Sequence, residues 1–328
     1  MLKQYYDADV DWSQIAGKTI AVLGYGSQGR AQAANLRDSG LSVIVGVRPG
    51  LSFEAASRDG FPTMPVVDAV RKADILAMLV PDEVAAEIFR RDILPWLHDG
   101  HTIVFAHGFN VHYGQIVPPP NVNVVLVAPK GVGPQVRRLY LDGSGVVSLI
   151  AVHQDVTGFA KHMALAFAKG IGSARSAIME TTFADETETD LFGEQAVICG
   201  GMVNLMKAAY NTLVTAGYEP ELAYYECLHE LKLVVDLLYE GGFTQMHNSV
   251  SKTAGYGSLT RGPRVIGSET LAAMQEILVE IQSGAFAREW LLENQVNCPQ
   301  YTALMRREIE SELEQIGNTV RQTLSDIK

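Results

Sequence analysis

Residues 19–29, Thr19-Ile20-Ala21-Val22-Leu23-Gly24-Tyr25-Gly26-Ser27-Gln28-Gly29, join a short aliphatic run to a glycine turn of the form GxGxxG. The run has the composition of a strand buried on both faces. The segment Arg30–Ser39, closed by Gly40, has helical spacing. A glycine triplet alone is weak evidence. A strand before it and a helix after it make it a dinucleotide-binding turn. Its glycines allow a tight turn and let the backbone approach a pyrophosphate, and the helix N-terminus offers unpaired N–H groups to the anion.

The same rhythm continues outward from this turn. Apolar runs recur at Leu41–Val47, Asp74–Val80, Thr102–Ala106 and Val122–Ala128, with a sixth candidate at Val146–Val152, and helix-like segments separate them. Alternating strands and helices predict a Rossmann, doubly wound α/β domain with a parallel sheet. The rhythm stops near residue 180, and the remainder reads as helix. Pro220 stands at the start of one helix, which Gly241-Gly242 closes. After Pro299, Met305, Ile309, Leu313, Ile316 and Val320 fall on one helical face. The expected division is a cofactor-binding domain over 1–181 and an all-α domain over 182–328.

The end of the second strand bears on the choice of nicotinamide cofactor. An NAD site places Asp or Glu there for the ribose hydroxyl. Here the order is Gly46-Val47-Arg48-Pro49-Gly50-Leu51-Ser52, with no acidic residue before Glu54. Arg48 offers a planar fork of donors to a 2′-phosphate, and Ser52 adds a hydroxyl. The expected cofactor is NADPH, with NADH as the alternative. The expected cofactor-binding residues are Gly24, Tyr25, Gly26, Ser27, Gln28, Gly29, Arg48, Ser52, Asp82, Glu83, Val84, Ala85 and Gly133.

Ligands of open parallel sheets lie beyond the carboxyl ends of the strands. His107 and Lys130 occupy two such ends, and Asp82 follows a third. His107 suits proton transfer or substrate orientation, and Lys130 suits stabilisation of developing negative charge. A lone histidine there is as often structural. Two polar residues at adjacent strand ends favour a site.

The helical half carries Asp190 and Glu194, then Glu226 and Glu230, each pair spaced i, i+4. Like charges one turn apart destabilise a bare helix, and a cation removes the penalty. Carboxylates without thiolates select hard ions such as Mg²⁺. A solvated acidic face is the ordinary reading of one such pair. Both pairs adjoin apolar stretches, Leu231 to Val235 in one case and Ala196 to Ile198 in the other, so partial burial is expected.

The net charge of −11 argues against nucleic acid as a partner. Cys199, Cys227 and Cys298 show no paired spacing and read as reduced thiols, so a cytoplasmic protein without signal peptide or membrane span is expected.

These segments together resemble ketol-acid reductoisomerase. The resemblance rests on GYGSQG at 24–29, AHGFN at 106–110, APKG at 128–131, ETETDLFGEQAV at 186–197, YECLHELKLVVDLLYEGG at 225–242 and YGSLTRGPRVI at 256–266. It runs from near the N-terminus to about residue 326, and the length is that of the short form of the family. It implies conversion of 2-acetolactate or 2-aceto-2-hydroxybutyrate to 2,3-dihydroxy acids in valine and isoleucine synthesis. It further implies NADPH and two Mg²⁺ ions, with Asp190 bridging both ions, Glu194 on one, and Glu226 and Glu230 near the other. On the same basis Glu230 is the proton shuttle, Ser251 binds the substrate carboxylate, Lys130 assists at the migrating centre and His107 is catalytic. The C-terminal domain is expected to be knotted. A homodimer, alone or within a larger homo-oligomer, is expected to share each site, taking Asp190 and Glu194 from one chain and Glu226, Glu230 and Ser251 from the other. The chain departs from the commoner pattern at Arg30, Leu51, Ala85, Lys252 and Gly255, and the loop after Arg48 is one residue shorter. Two other readings compete. A metal-independent β-hydroxyacid dehydrogenase leaves the carboxylate pairs unexplained, as does a non-catalytic NADP-binding sensor.

Overall fold

The computed structural model describes the backbone of residues 2–325 and the side chains of residues 2–323. Two compact units meet within one helix, at 189/190.

The first unit is built on a nine-stranded sheet: β1 (Gln4–Tyr5), β2 (Thr19–Leu23), β3 (Ser42–Gly46), β4 (Thr63–Met64), β5 (Ile75–Met78), β6 (Thr102–Phe105), β7 (Asn123–Pro129), β8 (Ser148–Gln154) and β9 (Ile178–Glu180). Its helices are α1 (Ser27–Asp38), α2 (Leu51–Arg58), α3 (Val66–Val70), α4 (Asp82–Ile88), α5 (Phe109–His112), α6 (Gly133–Leu141) and α7 (Ala160–Gly170). The strands lie in the order β1-β9-β8-β7-β6-β5-β2-β3-β4. Successive residues of β2 point to opposite faces, so Ile20 and Val22 enter one core with Leu36 and Phe167, while Ala21 and Leu23 enter the other with Phe89 and Ile93. Between β2 and β5 the chain reverses its direction of travel across the sheet. That switch opens a crevice beyond their carboxyl ends.

All six anticipated strands form, within two residues at each end. The sheet is not wholly parallel. β8 runs antiparallel to β7, and β1 antiparallel to β9. The chain re-enters the sheet at the end where β7 leaves it, with Ser148 opposite Pro129, so β8 has to run back along its neighbour. The two-residue strands β1 and β4 and the three-residue β9 are too short to register as apolar runs.

The second unit is helical: α8 (Phe183–Gly193), which spans the division, α9 (Gly200–Thr215), α10 (Pro220–Tyr224), α11 (Glu230–Ser249), α12 (Lys252–Val265), α13 (Ser268–Gln282), α14 (Ala285–Gln295), α15 (Pro299–Ile309) and α16 (Glu312–Ser325). Its core gathers Tyr210, Ala223, Tyr224 and Val320, with Leu213, Leu228, Leu313 and Ile316 packed against it. Many apolar side chains of this unit stay exposed, among them Tyr239 at 90% and Phe243 at 77%.

Two sequence expectations change here. The single helix anticipated after Pro299 is broken at Glu310-Ser311, where the Ser311 hydroxyl accepts from the Glu314 amide and starts α16. Met305 and Ile309 therefore lie exposed on α15, while Val320 is buried on α16. Gly241 and Gly242 do leave helical geometry, but helix resumes beyond them to Ser249. Among the described residues no helix is long and apolar enough to cross a membrane.

Candidate active site

The glycine turn leaves β2 and opens α1, and its three glycines have different physical causes. Gly24 has φ +100, and a Cβ there would meet the Leu79 carbonyl oxygen at 2.5 Å. A Cβ on Gly29 would meet the Gly24 carbonyl oxygen at 2.2 Å, so the helix could not pack against its own turn. Gly26 has φ −82 and open space around its Cβ position. That is the place through which a pyrophosphate reaches the backbone amides. These features fit a dinucleotide.

Around the turn, Tyr25 is buried and Gln28 donates to the Gly131 carbonyl at 2.8 Å, tying α1 to the end of β7. Gly133 is buried at the start of α6 against the Ser27 backbone. Arg48 and Ser52 follow β3 and are exposed, and Arg48 has no ion-pair partner among the described residues. Asp82 opens α4 beyond β5, and Asn110 donates to its carboxylate at 3.0 Å and to its carbonyl at 3.1 Å. Burial raises the Asp82 carboxyl above its ordinary pKa, against the pull of nearby His107. Glu83 is half-buried, Val84 exposed and Ala85 buried.

His107 stands half-buried beyond β6, and Lys130 lies exposed beyond β7. A residue that spacing arguments left unassigned, Glu186, brings them together. Its carboxylate is 1% exposed and accepts from Lys130 Nζ at 2.7 Å, the Gly108 amide at 3.0 Å and His107 Nδ1 at 3.2 Å. Burial alone would raise its pKa. Hydrogen bonding and charge from His107, then Lys130, outweigh burial and hold it below the ordinary carboxylate range. An ionised carboxylate only accepts, so Nδ1 of His107 carries the proton it donates and Nε2 is the basic nitrogen when the ring is neutral. The signal for Glu186 was in the sequence, because Glu186, Asp190 and Glu194 follow one another at steps of four.

Asp190 lies one turn beyond Glu186 on α8 and is half-buried. Glu194 begins a widened π turn, Glu194–Ile198, and Glu226 lies in another, Tyr225–His229, with Glu230 just after it. Such turns are concentrated at functional sites. The expected partial burial holds for Asp190 alone. Glu194, Glu226 and Glu230 are exposed in the single chain, as are Val197, Ile198, Leu233 and Val235 near them. Among the described residues, no three of these four carboxylates converge on a common point. An all-carboxylate donor set open to water fits Mg²⁺, which keeps several waters when bound. Ser251 is exposed and caps α12, its hydroxyl accepting from the Ala254 amide at 3.1 Å. The three cysteines are unpaired.

A family model described as acetohydroxy acid isomeroreductase, NADPH-binding domain, matches residues 14–177, and one described as ketol-acid reductoisomerase, C-terminal domain, matches residues 183–326. The chain belongs to the ketol-acid reductoisomerase family. A solved ketol-acid reductoisomerase from an uncultured archean, described as NADH-preferring, is similar at 43% identity and a TM-score of 0.96, over 98% of this chain and 99% of that one. A semialdehyde dehydrogenase NAD-binding protein from Cupriavidus necator, solved with calcium and NAD, shares the fold at 19% identity and a TM-score of 0.63, over 81% and 99% of the two chains. A pyrroline-5-carboxylate reductase from Coxiella burnetii shares it at 14% identity and a TM-score of 0.55, over 81% and 98%.

As a ketol-acid reductoisomerase of 328 residues, the chain has the short form's length. It is an oxidoreductase of branched-chain amino-acid biosynthesis with an NAD(P)H-binding domain at its N-terminal end. Neither the β-hydroxyacid dehydrogenase nor the sensor reading accounts for a match over both halves of the chain.

Proposed function

We propose that the chain converts 2-acetolactate or 2-aceto-2-hydroxybutyrate to the 2,3-dihydroxy acid in a reaction that requires Mg²⁺ and NADPH. The observation that carries this reading is the buried Glu186 carboxylate fixing His107 and Lys130 beyond adjacent strands of the cofactor-binding sheet. In this reaction the substrate hydroxyl loses its proton, an alkyl group migrates to the neighbouring carbonyl carbon, and hydride reduces the new ketone. When bound, Mg²⁺ polarises carbonyl and alkoxide oxygens and NADPH supplies the hydride.

The chain's own residues divide the remaining work. Asp190, Glu194, Glu226 and Glu230 would hold two ions, and Glu230 would also carry the hydroxyl proton away. His107, with Nδ1–H turned to Glu186, offers Nε2 for proton transfer. Lys130 presents positive charge to oxygen at the migrating centre. Ser251, at the N-terminus of the 14-residue α12, would receive the substrate carboxylate, where free amides favour an anion. Arg48 and Ser52 support NADPH. The NADH-preferring relative supports NADH as the second cofactor. The exposed apolar side chains of the helical unit and its unconverged carboxylates support a homodimer with shared sites.

Oxidation of NADPH with 2-acetolactate, followed before and after EDTA, tests this reading. Turnover should stop with EDTA and return with added Mg²⁺, while NADPH titration of the EDTA-treated protein still shows binding. Turnover indifferent to EDTA contradicts the metal assignment. No turnover with either keto acid contradicts the activity.

A further inference from the structure

The phosphate-binding turn and the ribose-reading loop are linked by one carboxylate, Asp59. It follows the last residue of α2, whose first two residues are Leu51 and Ser52. Asp59 Oδ2 accepts the Tyr25 hydroxyl at 2.8 Å and the Arg30 Nε at 2.9 Å, and Arg30 Nη2 reaches Oδ1 at 3.2 Å. The Asp59 carbonyl accepts from Arg37 Nη1 at 2.9 Å. Two residues on, Phe61 packs edge-on against the Tyr25 ring at 5.9 Å, with the Arg37 guanidinium 4.6 Å from the Phe61 centroid. Tyr25 belongs to the glycine turn, and Arg30 and Arg37 to α1. The far end of α2 is therefore bound directly to the machinery that receives the pyrophosphate.

The near end of α2 has a different hold, the packing of half-buried Phe53 against the core. Leu51 is 85% exposed, Ser52 is exposed, and Ala56 is the one buried residue of the helix. Gly50, at φ +138, links the helix to the exposed Arg48 and Pro49. A helix of this length is a stiff rod of about 12 Å. Where its anchored end sits decides where Ser52 and the preceding Arg48 loop sit.

We propose that Asp59 is a positioning residue for cofactor selection, holding α2 so that Arg48 and Ser52 stand at a fixed distance from the glycine turn. The proposal rests on the reading of that turn and loop as the cofactor site. Asp59 acts through Tyr25, Arg30 and the helix it terminates.

Fluorescence titration of NADPH and NADH separately, with kinetics at saturating cofactor, tests it on Asp59→Asn and Tyr25→Phe. Asp59→Asn removes the charge that Arg30 meets, and Tyr25→Phe removes only a hydroxyl, a change the buried ring tolerates. The Kd for NADPH should rise about tenfold in Asp59→Asn and about threefold in Tyr25→Phe, the loss expected of one loosened charge-assisted contact. The Kd for NADH should rise less than about twofold, and the kcat of Asp59→Asn should hold, because the reacting end is untouched. A helix end serving stability alone would lower the melting temperature and leave the NADPH/NADH ratio at its wild-type value. That result in both variants overturns the proposal, as does equal weakening of both cofactors. The double variant Arg48→Pro, Ser52→Asp separates the two levels. A wild-type ratio there defeats the loop reading and this proposal with it. A shifted ratio there with an unshifted ratio in Asp59→Asn and Tyr25→Phe defeats the proposal alone.

Discussion

Glu186 is the residue on which the polar cluster of the first unit depends. Its partners, His107 and Lys130, lie 79 and 56 positions away in the chain, so no local pattern could have announced that they meet. The sequence did contain its spacing from Asp190, and AHGFN and APKG gave the strand ends. The burial that turns one acid among many into an anchor became visible only when the strands were ordered. Glu186→Gln keeps the shape and removes the charge. Turnover should fall about 10–100-fold, the usual cost of losing a residue that orients a reacting group, while NADPH titration stays near wild type. Full activity in that variant contradicts the role. His101 makes a separate, stability-level prediction. It is fully buried, its Nε2 donating to the Ala73 carbonyl at 2.9 Å and its Nδ1 accepting from the His98 amide at 3.2 Å. Burial first, and then nearby His98, hold its pKa below the ordinary histidine value. Between that lowered value and about pH 6.5 the unfolded chain binds the extra proton, so stability falls as pH drops through this window. Melting temperatures between about pH 7 and about pH 5 should fall less steeply for His101→Gln than for the wild type, and an identical slope sinks the assignment.

At the scale of elements, the glycine turn gives a pair of contrasting substitutions. Gly29→Ala forces a Cβ against the Gly24 carbonyl oxygen, so both the melting temperature and NADPH affinity should fall. Gly26→Ala finds open space and an ordinary φ, so the melting temperature should stay within about 2 °C while the NADPH Kd rises at least about tenfold. Calorimetry and titration on the two proteins check this, and equal destabilisation by both contradicts the division of roles. The strands of this unit were legible because Val, Ile and Leu run together in a way that only double burial explains. The direction of β8 was not, because an apolar run reads the same whichever way it enters a sheet. The break between α15 and α16 was hidden for a related reason. The apolar residues keep their helical steps across Ser311, and the hydroxyl that starts a new helix is one serine among many.

For the whole molecule, the two halves were readable to different depths. The cofactor-binding unit closes two cores around its sheet, so burial could be anticipated from pattern. The helical unit leaves Tyr239, Phe243, Tyr256 and Leu259 exposed, and among the described residues no three of the four candidate carboxylates converge in one chain. Pattern reading expected those carboxylates to be partly buried because it takes an apolar neighbour to be a covered one. The central claim is that four carboxylates form a metal site completed only when two copies pair. Mixing two inactive proteins, Asp190→Asn and Glu226→Gln, by co-expression or co-refolding tests it directly. Random pairing makes about half the dimers mixed, and in each mixed dimer one shared site collects both lesions and the other none, so roughly a quarter of wild-type activity should return. If each site is built from a single chain, every site carries one lesion and the mixture stays inactive, which contradicts the claim.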